Sequence, residues 1–419
     1  MFKKILILPF LIFPCLAQSD EAIKQKIVSN YVSIALAVYE DSLNAAKALE
    51  AAVTAFTQNP SDQTLEMAKA AWLFSRIPYQ QTEVFRFGNP VVDDWEGRVN
   101  AWPLDEGLID YVAKGYGDES EDNPLYTVNV IANSELIING KKVNSEKITP
   151  EFLANVIHEA EGIEANVATG YHAIEFLLWG QDLNGNSAGK GQRRATDFDL
   201  AGCTGGNCDR RVAYLQAASK LLVSDLGEMV DQWREEGKAV KYLEANQARA
   251  IGAMIMGMGT LSYGELAGER MQLGLFLNDP EEEHDCFSDN THNSHYYNQI
   301  GISNVYYGKY RRINGHVVGG TSLAEYVRMV EPQLSGEVEA KIGGATAALG
   351  AMRSRGESRE AYDQMLAVDN AEGNAAIQAS VDALVTQARA LEKIIIPLGI
   401  EGVNFEGSDS LDNPQEVFK

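Results

Sequence analysis

Apolar positions that recur at threes and fours dominate this chain. Between Glu21 and about Phe56 the series opens Ile23, Ile27, Tyr31, Ile34, Val38; it returns through Val212, Leu215, Leu222, Leu226, Val230 and Trp233. That period lays one apolar stripe along a helix, so both stretches are predicted to be long amphipathic helices. Further helices are predicted over about 62–86, 151–168, 240–275, 322–350 and 371–397. Asn59-Pro60-Ser61-Asp62 supplies a stop and restart between the first two, and Pro78 is expected to kink the second. Strand signals are confined to LIINGKKV, where Asn139-Gly140 reads as a tight hairpin turn.

Three segments lack the helical period: about 87–150, about 180–210 and about 277–320. Loops of that length in a compact helical protein are functional or disordered, and their aromatics and cysteines favour order and function. Antiparallel packing of helices joined by shorter links predicts an all-α fold of two tandem helical-bundle domains. The expected division is a leader at 1–17, a first bundle at 18–210 and a second at 211–419, each with a loop-rich insertion. WLFSRIPYQQTEVFRFGNP and TLSYGELAGERMQLGLFLNDP share a plan, which points to a duplicated four-helix bundle.

The first residues change the picture of where the protein works. Lys3 and Lys4, an apolar run from Ile5 to Phe13 and small residues up to Ala17 have the order of a secretory signal peptide, with cleavage after Ala17. Acylation at Cys15 is the alternative, and Pro14 before it is a poor match. The expectation is an exported protein, periplasmic or associated with the outer membrane. In an oxidising compartment Cys203 and Cys208, in GCTGGNCDRR, read as a local disulfide, while Cys286 is expected to be a buried free thiol. A formal charge of −24 argues against nucleic acid and anionic membrane surfaces as partners.

The chemistry centres on GYHAIEFLLWGQD. His172 and Glu175 lie three apart, so a helix projects both from one face, and imidazole and carboxylate suit zinc, iron or copper. Taken alone, the pair also reads as a half-buried histidine neutralised by its neighbour. His158-Glu159 is followed by Gly162 where a zinc protease needs a second histidine, so no thermolysin-like motif is present.

Gly170, His172 and Glu175 in this order, with CTGGNCDRR and EEEHDCFSDNTH followed by Tyr296-Tyr297, resemble the imelysin family, also called insulin-cleaving membrane protease-like. VFRFGNPVVDDWEGRVNAWPLDEG and the Asn139-Gly140 hairpin resemble its iron-regulated branch. The resemblance runs over essentially the whole chain after the leader. It implies an exported all-α protein of two bundles, with the Gly-x-His-x-x-Glu residues near the groove between them. A link to iron regulation or uptake is implied as well, because periplasmic proteins of ferrous-iron uptake share His-x-x-Glu. The family's peptidase label stands beside the missing HExxH.

The resemblance also directs attention to loop residues that could complete a site in the groove: Asp94, Glu96, Asp105 and Glu106 in the first loop, and Glu283, His284 and Asp289 in the third, with Arg86 as a carboxylate or anion partner. The leading expectation is therefore a binding protein for a transition metal (iron first, zinc or copper next) or a metal-associated small ligand. Cell-envelope iron-uptake proteins are its expected partners. A metal-dependent peptidase and a metal-free module that binds a peptide are the alternatives. With an ordinary imidazole, affinity should fall below about pH 6.5.

Overall fold

The structure, a computed structural model, describes residues 14–117, 120, 122–245 and 247–418. Residues 1–13, most of the expected leader, lie outside the described residues. The protein is all-α with two small hairpins. Its chief helices are α1 (Pro14–Gln58), α2 (Asp62–Gln80), α3 (Pro90–Asn100), α4 (Gly170–Trp179), α5 (Cys208–Gln232), α6 (Gln247–Thr260), α7 (Thr291–Tyr307), α8 (Pro332–Ser358) and α9 (Ala371–Glu392).

The stop and restart at 59–62 is built as a cap. Ser61 accepts from the Thr64 amide while Thr64 accepts from the Ser61 amide, satisfying amides that the first turn of α2 leaves open. Pro78 lies in the last turn of α2, where the helix is about to end. Asn139 and Gly140 turn with positive φ between β1 (Glu135–Ile138) and β2 (Lys141–Asn144).

Helix α1 packs on α2 and α5, and the short α4 is wedged among α2, α3 and α5. In the other half α7, α8 and α9 pack together with the wide-turned segment Leu261–Gln272, which continues α6. Contacts of α2 with α7, and of α1 with α6, join the halves. One apolar core runs from Ile27 through α4 and α6 to Ile400. A smaller cluster around Leu349, Met352, Tyr362, Ile377 and Leu384 belongs to the second half. Packing is continuous across residue 210, because α5 rests on both α1 and α4. Among the described residues no helix is long and apolar enough to cross a membrane.

Several expected elements differ. The helix expected over 151–168 is only a short turn, Pro150–Phe152, followed by a wide turn to Ile157; positive φ at Glu159 and Glu161 ends it. The helix expected over 322–350 is two, Leu323–Val330 and α8, because Pro332 starts a new helix at its first position. The expected loop at 87–150 contains α3, which Asn89 caps and Pro90 starts. The loop expected over 277–320 contains α7 and a second hairpin, β3 (Lys309–Arg311) with β4 (Val317–Gly319). Helix α7 carries little apolar periodicity because its buried residues include His292, Ser294, His295, Asn298 and Gln299. The second hairpin locks onto α1: Tyr310 Oη, the Arg312 guanidinium and the Ile313 amide all donate to Asp41.

Candidate functional site

All ten residues of α4 are buried, so the helix is apolar all round and its two polar side chains must find partners inside the protein. Its entry is fixed by the backbone. Gly170 has φ +77°, and a Cβ there would stand 2.3 Å from the Val99 carbonyl oxygen at the end of α3. Thr169 Oγ1 donates to the Arg98 carbonyl and Trp72 Nε1 to the Tyr171 carbonyl, 2.9 Å each. Gly170 is thus needed where two backbone segments nearly touch.

One turn on, His172 Nδ1 lies 3.0 Å from Glu175 Oε2. The other oxygen, Glu175 Oε1, accepts from the Ser288 amide at 3.0 Å and its hydroxyl at 2.7 Å. Both carboxylate oxygens are therefore engaged. His172 Nε2 is buried and has no hydrogen-bond partner. The segment that supplies Ser288 also delivers His284, whose ring centre is 4.7 Å from that of His172, and Asp285. His172, His284 and Asp285 each place a donor atom within 4.8 Å of the others, and all three are buried.

Asp285 is the most heavily engaged group. Its Oδ1 accepts from Arg76 Nη2 at 2.8 Å and lies 3.4 Å from His284 Nδ1. Its Oδ2 accepts from Asn290 Nδ2 at 2.8 Å and from the Ser294 hydroxyl. Arg76, on α2, also donates to Asn100 Oδ1 at 2.6 Å, and Asn100 in turn donates to Glu96 Oε1 at 2.9 Å. The cluster therefore joins α2, α3, α4 and the start of α7.

Electrostatics follow from that burial. Desolvation drives His172 down to about 3, Arg76 adds to the effect and Asp285 opposes it. His284 is held well below the usual imidazole range by burial first, then by Arg270. Burial alone would raise the Asp285 carboxyl, yet Arg76 and His284 hold it well below the carboxylate range. Glu175 is pushed well above that range by burial and by Asp285, with Ser288 opposing. Both histidines are consequently neutral far below pH 6.5, which corrects the expectation drawn from an ordinary imidazole.

The other expected site residues are dispersed. Arg86 belongs to an ion-pair network, 2.8 Å from Asp93 and 3.5 Å from both Glu96 and Glu265, and does not reach the histidines. Glu96 touches the cluster only through Asn100. Asp94 is exposed. Asp105, which accepts from Asn123, and Glu106 line a cavity of about 430 Å³ that Trp102, Cys286 and Phe287 also wall. The Trp102 ring, 5.6 Å from that of His284, stands between this cavity and the cluster. Glu283 and Asp289 face Asp363 instead of His172. Cys203 and Cys208 are disulfide-bonded; Cys286 is free and partly buried. The residues not anticipated are Arg76, Asp285 and Ser288. Asp285 stands beside His284 in the quoted EEEHDCFSDNTH, whereas nothing near Arg76 in sequence marks it.

Glu96 offers a pH test apart from the histidines. Burial raises its carboxyl to about 7 from an ordinary 4.5; Arg86 opposes the rise and Glu83 adds to it. A raised carboxyl stabilises the fold while protonated, so this contribution is complete below about pH 4.5 and is lost as pH rises through about 7. Glu96→Gln should flatten the stability–pH curve in that window, measured by urea unfolding from pH 4.5 to 8. An unchanged curve would place the titration elsewhere.

The imelysin family model matches residues 35–391. The chain is 22% identical over 387 residues to iron-regulated protein A of Synechococcus elongatus, covering 90% of this chain and 84% of that protein. Two crystal structures share the fold. One, described as an iron-regulated protein A precursor from Parabacteroides distasonis, superposes with a TM-score of 0.64 at 18% identity, over 90% of this chain and 95% of that one. The other, an imelysin-like protein from Psychrobacter arcticum, gives 0.59 at 17% identity, over 92% and 98%.

Proposed function

The chain belongs to the imelysin family, and from that premise and the buried cluster we propose that it binds a transition metal ion, iron first, through His172, His284 and Asp285. The observation that carries this reading is the convergence of one donor atom each from the buried His172, His284 and Asp285 within 4.8 Å of one another, with the buried Nε2 of His172 left without a hydrogen-bond partner. Neutral imidazoles and one carboxylate suit iron, zinc and copper. Glu175 does not ligate in this reading. Its Oε2 lies 3.0 Å from His172 Nδ1 and orients the ring, and Ser288 holds it in place, as carboxylate partners of metal-binding histidines do.

Arg76 sets the terms of the fit. A metal ion must share Asp285 with a guanidinium 2.8 Å from the same oxygen, so the arginine limits affinity. The name of the Synechococcus relative supports an iron-related role. The leader pattern and the Cys203–Cys208 disulfide support export to an oxidising cell envelope, where iron-uptake proteins would be the partners.

The test is chelator-treated full chain titrated calorimetrically with ferrous iron (under anaerobic conditions), ferric iron, zinc and copper. Saturable binding is expected, lost in His172→Ala/His284→Ala and weakened about 10–100-fold in Glu175→Gln. A double variant that binds like the parent overturns the assignment. One observation favours a second reading: Asp285 is already saturated by Arg76, Asn290 and Ser294. The cluster would then be a polar clamp in a metal-free module that binds a peptide at the adjoining cavity. That reading predicts that chelation alters neither melting temperature nor ligand binding.

A further inference from the structure

A second cluster of carboxylates lies apart from the histidines. Glu283 and Asp289, from the segment before α7, meet Asp363, from the short helix Tyr362–Leu366, with one oxygen of each within 4.8 Å of the others. Glu283 and Asp363 are each only 1% exposed. Glu283 Oε1, Asp289 Oδ1 and both carboxylate oxygens of Asp363 are buried without a hydrogen-bond partner. Against Glu283 and Asp363 lies a void of about 10 Å³, walled also by Asp182, Glu281, Cys286 and Phe287. That is room for about one water-sized body.

Four buried oxygens with no donor are costly, and three like charges at this distance repel each other. A cation between them removes both penalties. We propose that Glu283, Asp289 and Asp363 bind a calcium ion at a site separate from His172, His284 and Asp285. Two oxygens bound across a calcium ion at the usual 2.3–2.6 Å stand no more than about 5 Å apart, which matches the spacing here. An all-oxygen set favours a hard cation over iron, zinc or copper. Magnesium ordinarily keeps several waters, for which a void of this size has no room. Burial first, then Asp363 and Asp182, pushes Asp289 up to about 8 against Lys190, and burial with Asp182 pushes Asp363 up to about 7 against the backbone amide of Gln364.

The ion would tie residues 283–289 to residue 363. It would thereby brace the strip that carries His284, Asp285 and Ser288, where Asn278 Nδ2 already donates to the Leu366 carbonyl at 2.8 Å. The experiment is calcium chloride titrated into chelator-treated full chain, followed by calorimetry and thermal unfolding. One ion per chain is expected to bind with Kd of about 1 mM or tighter and to raise Tm. E283Q/D363N should weaken binding at least about tenfold, yet melt no lower than the parent without calcium, since the amides keep the shape and relieve the repulsion. D289N, at a partly exposed position, gives a milder loss of the same kind and serves if the double variant does not fold. His172→Ala/His284→Ala should bind calcium like the parent, which separates this site from the metal site proposed above. The proposal is overturned if the parent shows no saturable calcium binding, if the carboxylate variants bind as tightly as the parent, or if binding is lost with the histidines.

Discussion

Replacing Arg76 with methionine is expected to cost about 3–5 kcal/mol of stability at pH 7, the range for removing one partner of a buried ion pair. Arg76 and Asp285 have side chains 2% and 0% exposed, and the carboxylate is held well below its usual range mainly by this guanidinium against the cost of burial. Without Arg76, burial dominates and the Asp285 carboxyl rises. The sign with pH then differs between the two proteins. In the parent, the Asp285 contribution is present above the ordinary carboxylate value of 3.8 and is lost only as pH falls through its depressed folded value. In the variant the raised carboxyl favours the fold at low pH and loses that contribution as pH climbs. The gap between parent and variant should therefore narrow on acidification toward pH 4, measured by guanidinium unfolding. If His172, His284 and Asp285 hold a metal, the variant should also bind it more tightly and regain part of its stability, because the dication replaces the lost charge. A cost below about 1 kcal/mol at pH 7 would show that the pair does not anchor the cluster.

Gly170→Ala should be comparably severe, for a different reason. A methyl group at Gly170 would lie 2.3 Å from the Val99 oxygen and 2.5 Å from its carbonyl carbon, with φ at +77°. Left-handed strain of about 1–2 kcal/mol and forced displacement of about 1–3 kcal/mol give a loss of about 2–5 kcal/mol. Gly162→Ala is the control. Its φ is +75° but nothing lies within 4 Å of the added carbon, so only the strain should register. Equal losses at both positions would mean that the close approach of α3 to α4 is dispensable. The first residue of Gly-x-His-x-x-Glu thus acts by setting where α4 begins, which in turn aims His172 and Glu175.

The pattern of apolar positions was sufficient for α1, α2, α5 and α9, whose buried faces keep enough apolar residues, such as Leu65, Ala68, Trp72 and Tyr79 on α2, to show the helical period. It failed for α7 because that helix buries histidine, asparagine and glutamine, so polarity no longer reports exposure. The second hairpin carries Asn314-Gly315, the same turn signal as Asn139-Gly140, and the expectation that confined strands to LIINGKKV passed over it. At the site, His172, Glu175 and His284 were identified as ligand-type residues, and the structure brings those three together. Arg76 could not be found this way, since its partner Asp285 is 209 residues distant and no local period links them. Glu283 and Asp289, grouped with His172 in the sequence reading, stand beside Asp363 in the fold. On a loop without period, neighbouring residues turn to opposite sides, and only the fold decides which side each faces.

The sharing of α1 between both halves bears on how a ligand could be exchanged. The helix packs on α2, α5 and α6, and Asp41 in its middle is gripped by Tyr310, Arg312 and Ile313 of the second hairpin. A continuous strut of 45 residues, about 68 Å long at 1.5 Å per residue, leaves no hinge at the junction of the bundles. Opening by rigid lobes swinging apart would require breaking the core that runs from Ile27 to Ile400. If His172, His284 and Asp285 hold a metal, its entry and release should instead follow local opening of the segment 277–290. Exchange rates would then track the stability of that strip, not the separation of the two halves.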